Sequence, residues 1–196
     1  MNMKLSKNTV IVFIILIVVS AVYRIFPERP FGFAPQMALA LFGGAMISDK
    51  KLAFLLPVLS LFISDLLYQG LFSAGIASVP GFYEGQLWVY ISFLLVTVFG
   101  FLMKNVNWKS VIGFSISGSM IFFLSSNFFV WMGGGGLNRP KTFDGLLMCY
   151  GDALAFYRDY GVIHGFAGNF IIGDLFFTGL LFGTYFLAKK YTPSIA

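Results

Sequence analysis

Cysteine, histidine and charged side chains are scarce in this sequence, which has one cysteine, one histidine and 11% charged residues. The lone Cys149 excludes a disulfide within the chain and cannot by itself hold a metal ion. Because soluble domains have about 25% charged residues, the low charge excludes an ordinary soluble fold. Motifs of hydrolases, zinc peptidases and nucleotide-binding proteins are also missing, and Gly133–Gly136 lacks the Lys-Ser/Thr of a phosphate-binding loop. We therefore expect no enzymatic activity, no cofactor and no metal.

Apolar residues are abundant instead, at 58% of the chain with a mean hydropathy of +0.85. A membrane-spanning helix needs about 20 mainly apolar residues, so six crossings nearly fill the chain. We predict one all-α domain over residues 1–196, an integral membrane bundle of six transmembrane helices. Met1–Arg24 begins like a secretory signal, but Tyr23-Arg24 is a poor flank for cleavage, so we expect a retained helix. The predicted crossings are Thr9–Ile25, Ala34–Ser48, Leu52–Leu71, Leu87–Met103, Val111–Trp131 and Phe170–Lys189.

A further helix is predicted between the last two crossings. The segment from Thr142 to Tyr160 carries apolar residues at helical spacing. It is too polar to be a crossing, so we expect an outer interfacial or re-entrant helix that caps the bundle. Its apolar positions are Phe143, Leu146, Leu147, Tyr150, Leu154 and Tyr157.

Basic residues are segregated along the chain in a way that predicts its orientation. Short cytoplasmic loops carry the excess of lysine and arginine, which favours both termini on the inside of a bacterial inner membrane. The basic pI near 9.4 does not indicate a nucleic-acid partner, because the lysines lie at the ends of crossings. The inner set is Lys4, Lys7, Lys50, Lys51, Lys104, Lys109, Lys189 and Lys190; the outer set is Arg24, Arg29, Arg139, Lys141 and Arg158. Interfacial aromatic residues agree, with Tyr83, Trp88, Tyr90 and Trp131 outside and Trp108 and Tyr191 inside.

Three crossings carry a strongly polar residue in the outer half of the bilayer. With a helical rise of about 1.5 Å per residue, Asp65, Asn127 and Asp174 lie roughly 9, 7 and 6 Å below the outer helix ends. Arg24, at the outer end of the first crossing, can reach the same layer. Such groups are unfavourable in hydrocarbon unless they are paired or hydrated. They therefore indicate either a ligand pocket or ion path, or a structural pair such as Arg24 with Asp65.

Four residues of the outer segments would surround the mouth of such a pocket. Trp131 and Tyr150 could form a stacking wall, and Arg139 and Arg158 would lie at the rim. Each of them, taken singly, is more often a solvated rim residue or an interfacial belt residue than a ligand contact.

Small residues along the second crossing form another pattern. Ala34 and Ala38 lie four residues apart on one helix face, as in small-xxx-small packing motifs, and Gly43 and Gly44 follow. This stripe indicates either packing inside the bundle or docking of a partner, such as a transmembrane coupling subunit or a larger membrane complex.

Five stretches of the chain resemble an uncharacterised family of small bacterial membrane proteins that are described as transport proteins. They are F-A-P-Q-M-A-L-A-L-F-G-G-A, L-A-F-L-L-P-V-L-S-L-F-I-S-D-L, S-S-N-F-F-V-W, P-K-T-F-D-G-L-L-M-C-Y and G-D-L-F-F-T-G-L-L-F-G. More distantly, the six-helix plan is similar to the S components of energy-coupling factor (ECF) vitamin transporters. That resemblance implies a ligand in the outer half and alanine-lined faces that dock a coupling subunit. The first crossing lacks the alanine pattern of those proteins.

These observations lead to two hypotheses for function. The first is a substrate-binding membrane transport subunit that captures a small, cationic or amphiphilic metabolite from the outer side, with Asp65 and Asp174 supplying charge and Asn127 hydrogen bonds. The second is an accessory subunit of a larger membrane complex, in which the polar layer is structural.

Overall fold

The structure, a computed structural model, describes the backbone at residues 7–27, 29–30, 32–133, 138–159 and 168–191, and the side chains at 10–27, 29–30, 32–133, 138–154 and 170–190. Within these ranges the chain forms seven α-helices, which confirms the all-α prediction. They are α1 (Lys7–Arg24), α2 (Gln36–Met46), α3 (Lys50–Ser73), α4 (Gln86–Gly100), α5 (Trp108–Gly133), α6 (Phe143–Asp159) and α7 (Gly168–Tyr191). The six apolar segments and the capping segment predicted from the sequence correspond to these helices within a few residues.

Helix α2 is the centre of the bundle and packs against α3, α4, α5 and α7. Ten of its 11 residues are buried. Its small side chains permit this close approach: a Cβ on Gly44 would collide with the carbonyl oxygen of Thr97 and lie 2.9 Å from the Cα of Gly100. A Cβ on Gly43 would lie 2.8 Å from the carbonyl oxygen of Ala53.

The stripe of small residues on α2 is therefore used inside the chain. Ala38 is fully buried, and Gly43 and Gly44 pack on α3 and α4, so of the two interpretations of this stripe the structure supports internal packing. Ala34 is half-buried just before the helix begins. Docking of a partner at this stripe stays a prediction.

Large apolar side chains lie on the surface of the bundle as well as in its core, and polar side chains are buried alongside them. Large aliphatic side chains of α1 face outward, and that of Val19 is 60% exposed. Twelve polar residues are buried among the described side chains, on all the helices except α6. Three helical stretches are long and apolar enough to cross a bilayer, namely Lys50–Ser73, Trp108–Gly133 and Phe170–Lys190. Shorter apolar helices are α2, α4 and Val10–Arg24 of α1.

The two ends of the bundle differ in their charged residues. Lys50, Lys104 and Lys189 line one cavity at the end where α3 begins and α4 and α7 finish. Asp65 lies about 22 Å further along α3, and it pairs there with Arg24 at the end of α1. Three of the lysines that the sequence assigned to one side therefore lie together at one end of the bundle.

Candidate functional site

Asp65 lies at the centre of a polar network that joins α1, α3 and α4. Its carboxylate is 1% exposed and forms an ion pair with Arg24, the last residue of α1. The same guanidinium donates a hydrogen bond to Ser64 Oγ at 2.5 Å. Backbone contacts fix the end of α1 as well, because Tyr68 Oη donates to the carbonyl oxygen of Arg24 at 3.1 Å. Arg24, as expected from its position, reaches the level of Asp65.

Helix α4 and the loop that precedes it complete the surroundings of Asp65. Gln86 Nε2 donates to Asp65 Oδ2 at 2.5 Å, and the hydroxyl of Tyr90 donates to the same oxygen. Gln86 also donates to the carbonyl oxygen of Gly81 at 3.0 Å, while the Gly81 amide donates to Gln69 Oε1 at 3.2 Å. The loop from Ala74 to Gly85 is thereby held against the outer part of α3.

This arrangement favours the structural alternative for Asp65. A buried carboxylate needs a countercharge and hydrogen bonds, and Arg24, Gln86 and Tyr90 supply both. A cationic ligand at Asp65 would have to displace the guanidinium of Arg24. The role of Arg24 and Asp65 in substrate binding stays a prediction.

Asp174 lies in a different polar cluster, between α5 and α7. Its side chain is 6% exposed, and Ser119 Oγ donates to Asp174 Oδ2 at 2.5 Å. Ser119 Oγ is also 3.0 Å from the carbonyl oxygen of Ser115, and Ser115 Oγ donates to Thr178 Oγ1 at 3.3 Å. Carboxylate, hydroxyl and carbonyl oxygens thus line one stretch of the α5–α7 interface, which is the chemistry that a small cation or an ammonium group prefers.

Asp174 also differs from Asp65 in its countercharge. The ion pairs among the described side chains are Arg24–Asp65 and Arg139–Asp152. Asp174 belongs to neither, and desolvation of a carboxylate without a cation is strongly unfavourable. Among the carboxylates of the predicted polar layer, Asp174 is therefore the one whose charge is not balanced by an ion pair with a described lysine or arginine.

Asn127, Trp131 and Tyr150 lie at the contact between α5 and α6. Asn127 Nδ2 donates to the carbonyl oxygen of Phe123 in its own helix at 2.8 Å. Trp131 Nε1 donates to the carbonyl oxygen of Pro140 at 2.8 Å, and Tyr150 Oη donates to that of Leu124 at 3.0 Å. The Tyr150 bond joins α6 to α5, and the Trp131 bond joins the segment before α6 to α5. None of the three bonds reaches Asp65 or Asp174.

Arg139 is bound to Asp152 of α6 through two hydrogen bonds of 2.8 Å. These bonds hold the pKa of Asp152 below its usual range and raise the pKa of Arg139. Burial raises the pKa of the Cys149 thiol, so this side chain is a poor nucleophile. The side chain of Arg158 lies outside the described residues.

The predicted site residues therefore occupy three places instead of one. Asp65 and Asp174 share no hydrogen-bond partner among the described residues, and α2 packs against both of their helices. Of the rim residues, Trp131 and Tyr150 link α5 to the segment 138–154, and Arg139 binds Asp152 within that segment. In the structure each carboxylate has its own hydrogen-bond partners, and a single chamber lined by both of them stays a prediction. Across the described residues, no group of three His, Cys, Asp or Glu side chains could hold a metal ion.

Sequence reasoning did not identify three of the residues that contact the carboxylates. Tyr90 was interpreted as an interfacial anchor, yet it donates to Asp65. Gln86 is a polar residue directly before an apolar run, which could have indicated a buried amide. Ser119 lies in the run S-I-S-G-S of α5, and a run of small residues in an apolar helix is typical of close helix packing.

Comparisons with known proteins give a family but no activity. No curated protein and no solved structure matches this chain. One family model, described as a family of unknown function and designated DUF6580, matches residues 4–195. Because that match spans nearly the whole chain, the protein belongs to the DUF6580 family.

Proposed function

We propose that this protein is a multi-pass membrane protein that binds a small cationic solute at Asp174 as a step in its transport. Helices α1 to α5 and α7 would be the six crossings, with both termini on the inner side of a bacterial cytoplasmic membrane and α6 at the outer surface. A small cation or amine would lie between α5 and α7, next to the Asp174 carboxylate and the Ser119 hydroxyl.

The burial of Asp174 without a described countercharge carries this proposal. Burying an ionisable side chain in an apolar helix is energetically unfavourable. Such residues are therefore rare in membrane helices and usually mark functional sites. Asp65 already has Arg24 as its countercharge, which leaves Asp174 as the carboxylate available to a ligand. The adjacent oxygens of Ser119 and Ser115 would replace part of the hydration shell of the bound cation.

The apolar surface and the distribution of lysines support the membrane arrangement. A lysine-rich end is typical of the cytoplasmic side, and Lys50, Lys104 and Lys189 meet at one end. Helix α2 has 11 residues, which span about 16 Å, less than the bilayer core of about 30 Å. Its enclosure by four other helices makes this short element compatible with a membrane, since its ends need no contact with lipid.

Binding to a panel of amines tests the assignment of Asp174. The full-length protein in detergent would be melted with putrescine, choline or agmatine, and with succinate as an anionic control. At least one amine should raise the melting temperature of the wild type. The Asp174→Asn protein, which keeps the shape of the side chain, should lose that shift, and Ser119→Ala should weaken it. Asp152→Asn is the matched control, because it removes a carboxylate at the protein surface.

Two results would count against the proposal. Amine-induced shifts that persist in the Asp174→Asn protein would move the site elsewhere, and a panel without any shift would remove the amine-binding function. Copurification in an assembly of fixed stoichiometry, combined with the absence of ligand shifts, would favour the accessory-subunit hypothesis instead.

A further inference from the structure

A cavity of about 640 Å³ lies at the lysine-rich end of the bundle, away from both carboxylate clusters. It is formed where α2 ends at Met46 and the chain turns into α3 at Lys50. Because the central helix stops there, the surrounding ends of α4 and α7 enclose a space that α2 does not fill. The volume is within the range of about 300–1,000 Å³ that is typical of small-molecule sites.

Three lysines from separate parts of the chain line this cavity. Lys50 begins α3, Lys104 follows α4, and Lys189 lies in the last turn of α7. Lys50 Nζ lies 5.5 Å above the ring of Phe101, which is itself part of the wall. The described residues of the lining include no aspartate or glutamate. The neighbouring Asp49 is engaged elsewhere, since its carboxylate caps α3 by accepting from the amides of Lys51 and Leu52.

Most of the other lining residues have apolar side chains, although polar atoms form the larger part of the cavity surface. Met46, Phe101, Val106 and Phe186 are among the lining residues. A ligand that fits would therefore carry an anionic group that accepts several hydrogen bonds. The rest of the ligand would be apolar, or a lipid molecule would lie beside it. Phosphoryl groups match the lysines best, because each ammonium offers three donors and a compact charge to anionic oxygens.

We infer that this cavity binds a phosphate-bearing anion, either a phospholipid headgroup or a free phosphate. Lys50, Lys104 and Lys189 would supply donors to the phosphoryl oxygens, and the apolar side chains of the lining would accommodate the adjoining part of the molecule. Basic pockets between membrane helices bind anionic headgroups in this manner. The site is independent of Asp174, so either proposal can fail without the other.

The chain contains an internal control for this inference. Lys51, Lys109 and Lys190 lie beside or near the three lining lysines, are exposed, and do not line the cavity. The triple substitution Lys50→Gln, Lys104→Gln and Lys189→Gln therefore removes the same charge as Lys51→Gln, Lys109→Gln and Lys190→Gln. Only the first set removes donors from the cavity.

Native mass spectrometry of the full-length protein in a neutral detergent measures the binding. Dioleoylphosphatidylglycerol should bind more tightly than dioleoylphosphatidylcholine to the wild type. The lining triple variant should weaken phosphatidylglycerol binding by about tenfold, or about 1.4 kcal/mol, and the control triple variant should bind like the wild type. Size-exclusion profiles and melting temperatures verify that each variant is folded. If the lining triple variant does not fold, the single Lys104→Gln variant replaces it in the binding measurement.

Adding inorganic phosphate to the same samples identifies the source of the anion. Competition by phosphate at millimolar concentration supports a site for a free phosphate, and lipid binding that phosphate does not displace supports a headgroup site. Equal loss of binding in the two triple variants would overturn the inference, because it would show only a general attraction of a basic surface. Equal binding of the two lipids without any phosphate competition would overturn it as well.

Discussion

The guanidinium of Arg24 and the carboxylate of Asp65 form an ion pair across 41 residues of sequence. This pair attaches the end of α1 to the outer part of α3, the helix on which α1 chiefly packs. Most of the remaining surface of α1 is exposed and aliphatic. In the proposed membrane arrangement, lipid would provide no hydrophobic force between helices, so the polar contacts of Arg24 would be a principal reason for α1 to dock at this position.

Substitution of the two partners should have unequal effects on stability. Arg24→Gln leaves Asp65 buried without a countercharge and should lower the free energy of unfolding by about 3 kcal/mol. Asp65→Asn should lower it by less, because the partly exposed Arg24 can turn toward water or headgroups. The double variant should be more stable than the sum of the single effects predicts, with a coupling of about 1–3 kcal/mol. The free energy of unfolding in mixed micelles would be measured for the wild type, the two single variants and the double variant.

The Arg139–Asp152 pair is the control for this double-mutant cycle. Both of its side chains are about one-third exposed, so its coupling should be much smaller. Additive effects of Arg24→Gln and Asp65→Asn would show that the pair does not hold α1 in place.

The positions of the helices in this chain could be predicted well from the sequence. The packing of one helix against another, and the contacts of their polar side chains, could not. Apolar runs such as Leu52–Leu71 are unambiguous, because a crossing requires about 20 such residues. Depth along a helix also follows from its rise, which is why Arg24 and Asp65 were expected at one level. Rise does not determine which helices are neighbours or toward which one a side chain points. Asp65 and Asp174 therefore have similar predicted depths and yet have different partners, with α2 packed against both helices.

Gly81→Ala should destabilise the loop that covers Asp65. A Cβ at this position would collide with the backbone oxygen of Asp65 and lie 2.5 Å from the amide nitrogen of Gln69. The loop would have to move, and Gln86 would lose its bond to the Gly81 carbonyl. We expect a loss of about 1–3 kcal/mol in the free energy of unfolding and faster hydrogen exchange in residues 74–85.

Gly70→Ala is the matched control for this substitution. Gly70 lies within α3, and a Cβ there would meet no atom within 4 Å. Because alanine has a higher helix propensity than glycine by about 1 kcal/mol, this variant should be as stable as the wild type or more stable. Equal destabilisation by both substitutions would contradict the close packing of the loop on α3.

The attachment of α6 should depend on pH through Asp152. Its pKa in the folded protein lies below the usual value, so its contribution to stability is complete above the ordinary aspartate pKa of about 3.9. That contribution is lost as the pH falls through the lower folded value.

Hydrogen exchange of residues 138–152 should therefore accelerate in the wild type relative to the Asp152→Asn protein as the pH falls below about 4. Near neutral pH the wild type should be the more protected protein, and high salt should reduce that difference. A constant ratio of the two rates at all pH values would contradict the role of this ion pair.

The orientation of the chain can be tested with cysteine substitutions in a Cys149→Ser background. Cys149 is buried, so its replacement removes the native thiol without altering the surface. Glu84 and Asn105 are both exposed and lie in the loops at opposite ends of α4. With both termini inside, a membrane-impermeant maleimide should label the Glu84→Cys protein in intact spheroplasts, because its loop would face outward. The Asn105→Cys protein should be labelled only after lysis, since the short loop with Lys104 and Lys109 would face the cytoplasm. The reverse pattern would invert the topology and place the lysine-lined cavity at the outer surface, and labelling of both proteins in intact spheroplasts would show that α4 does not cross the membrane.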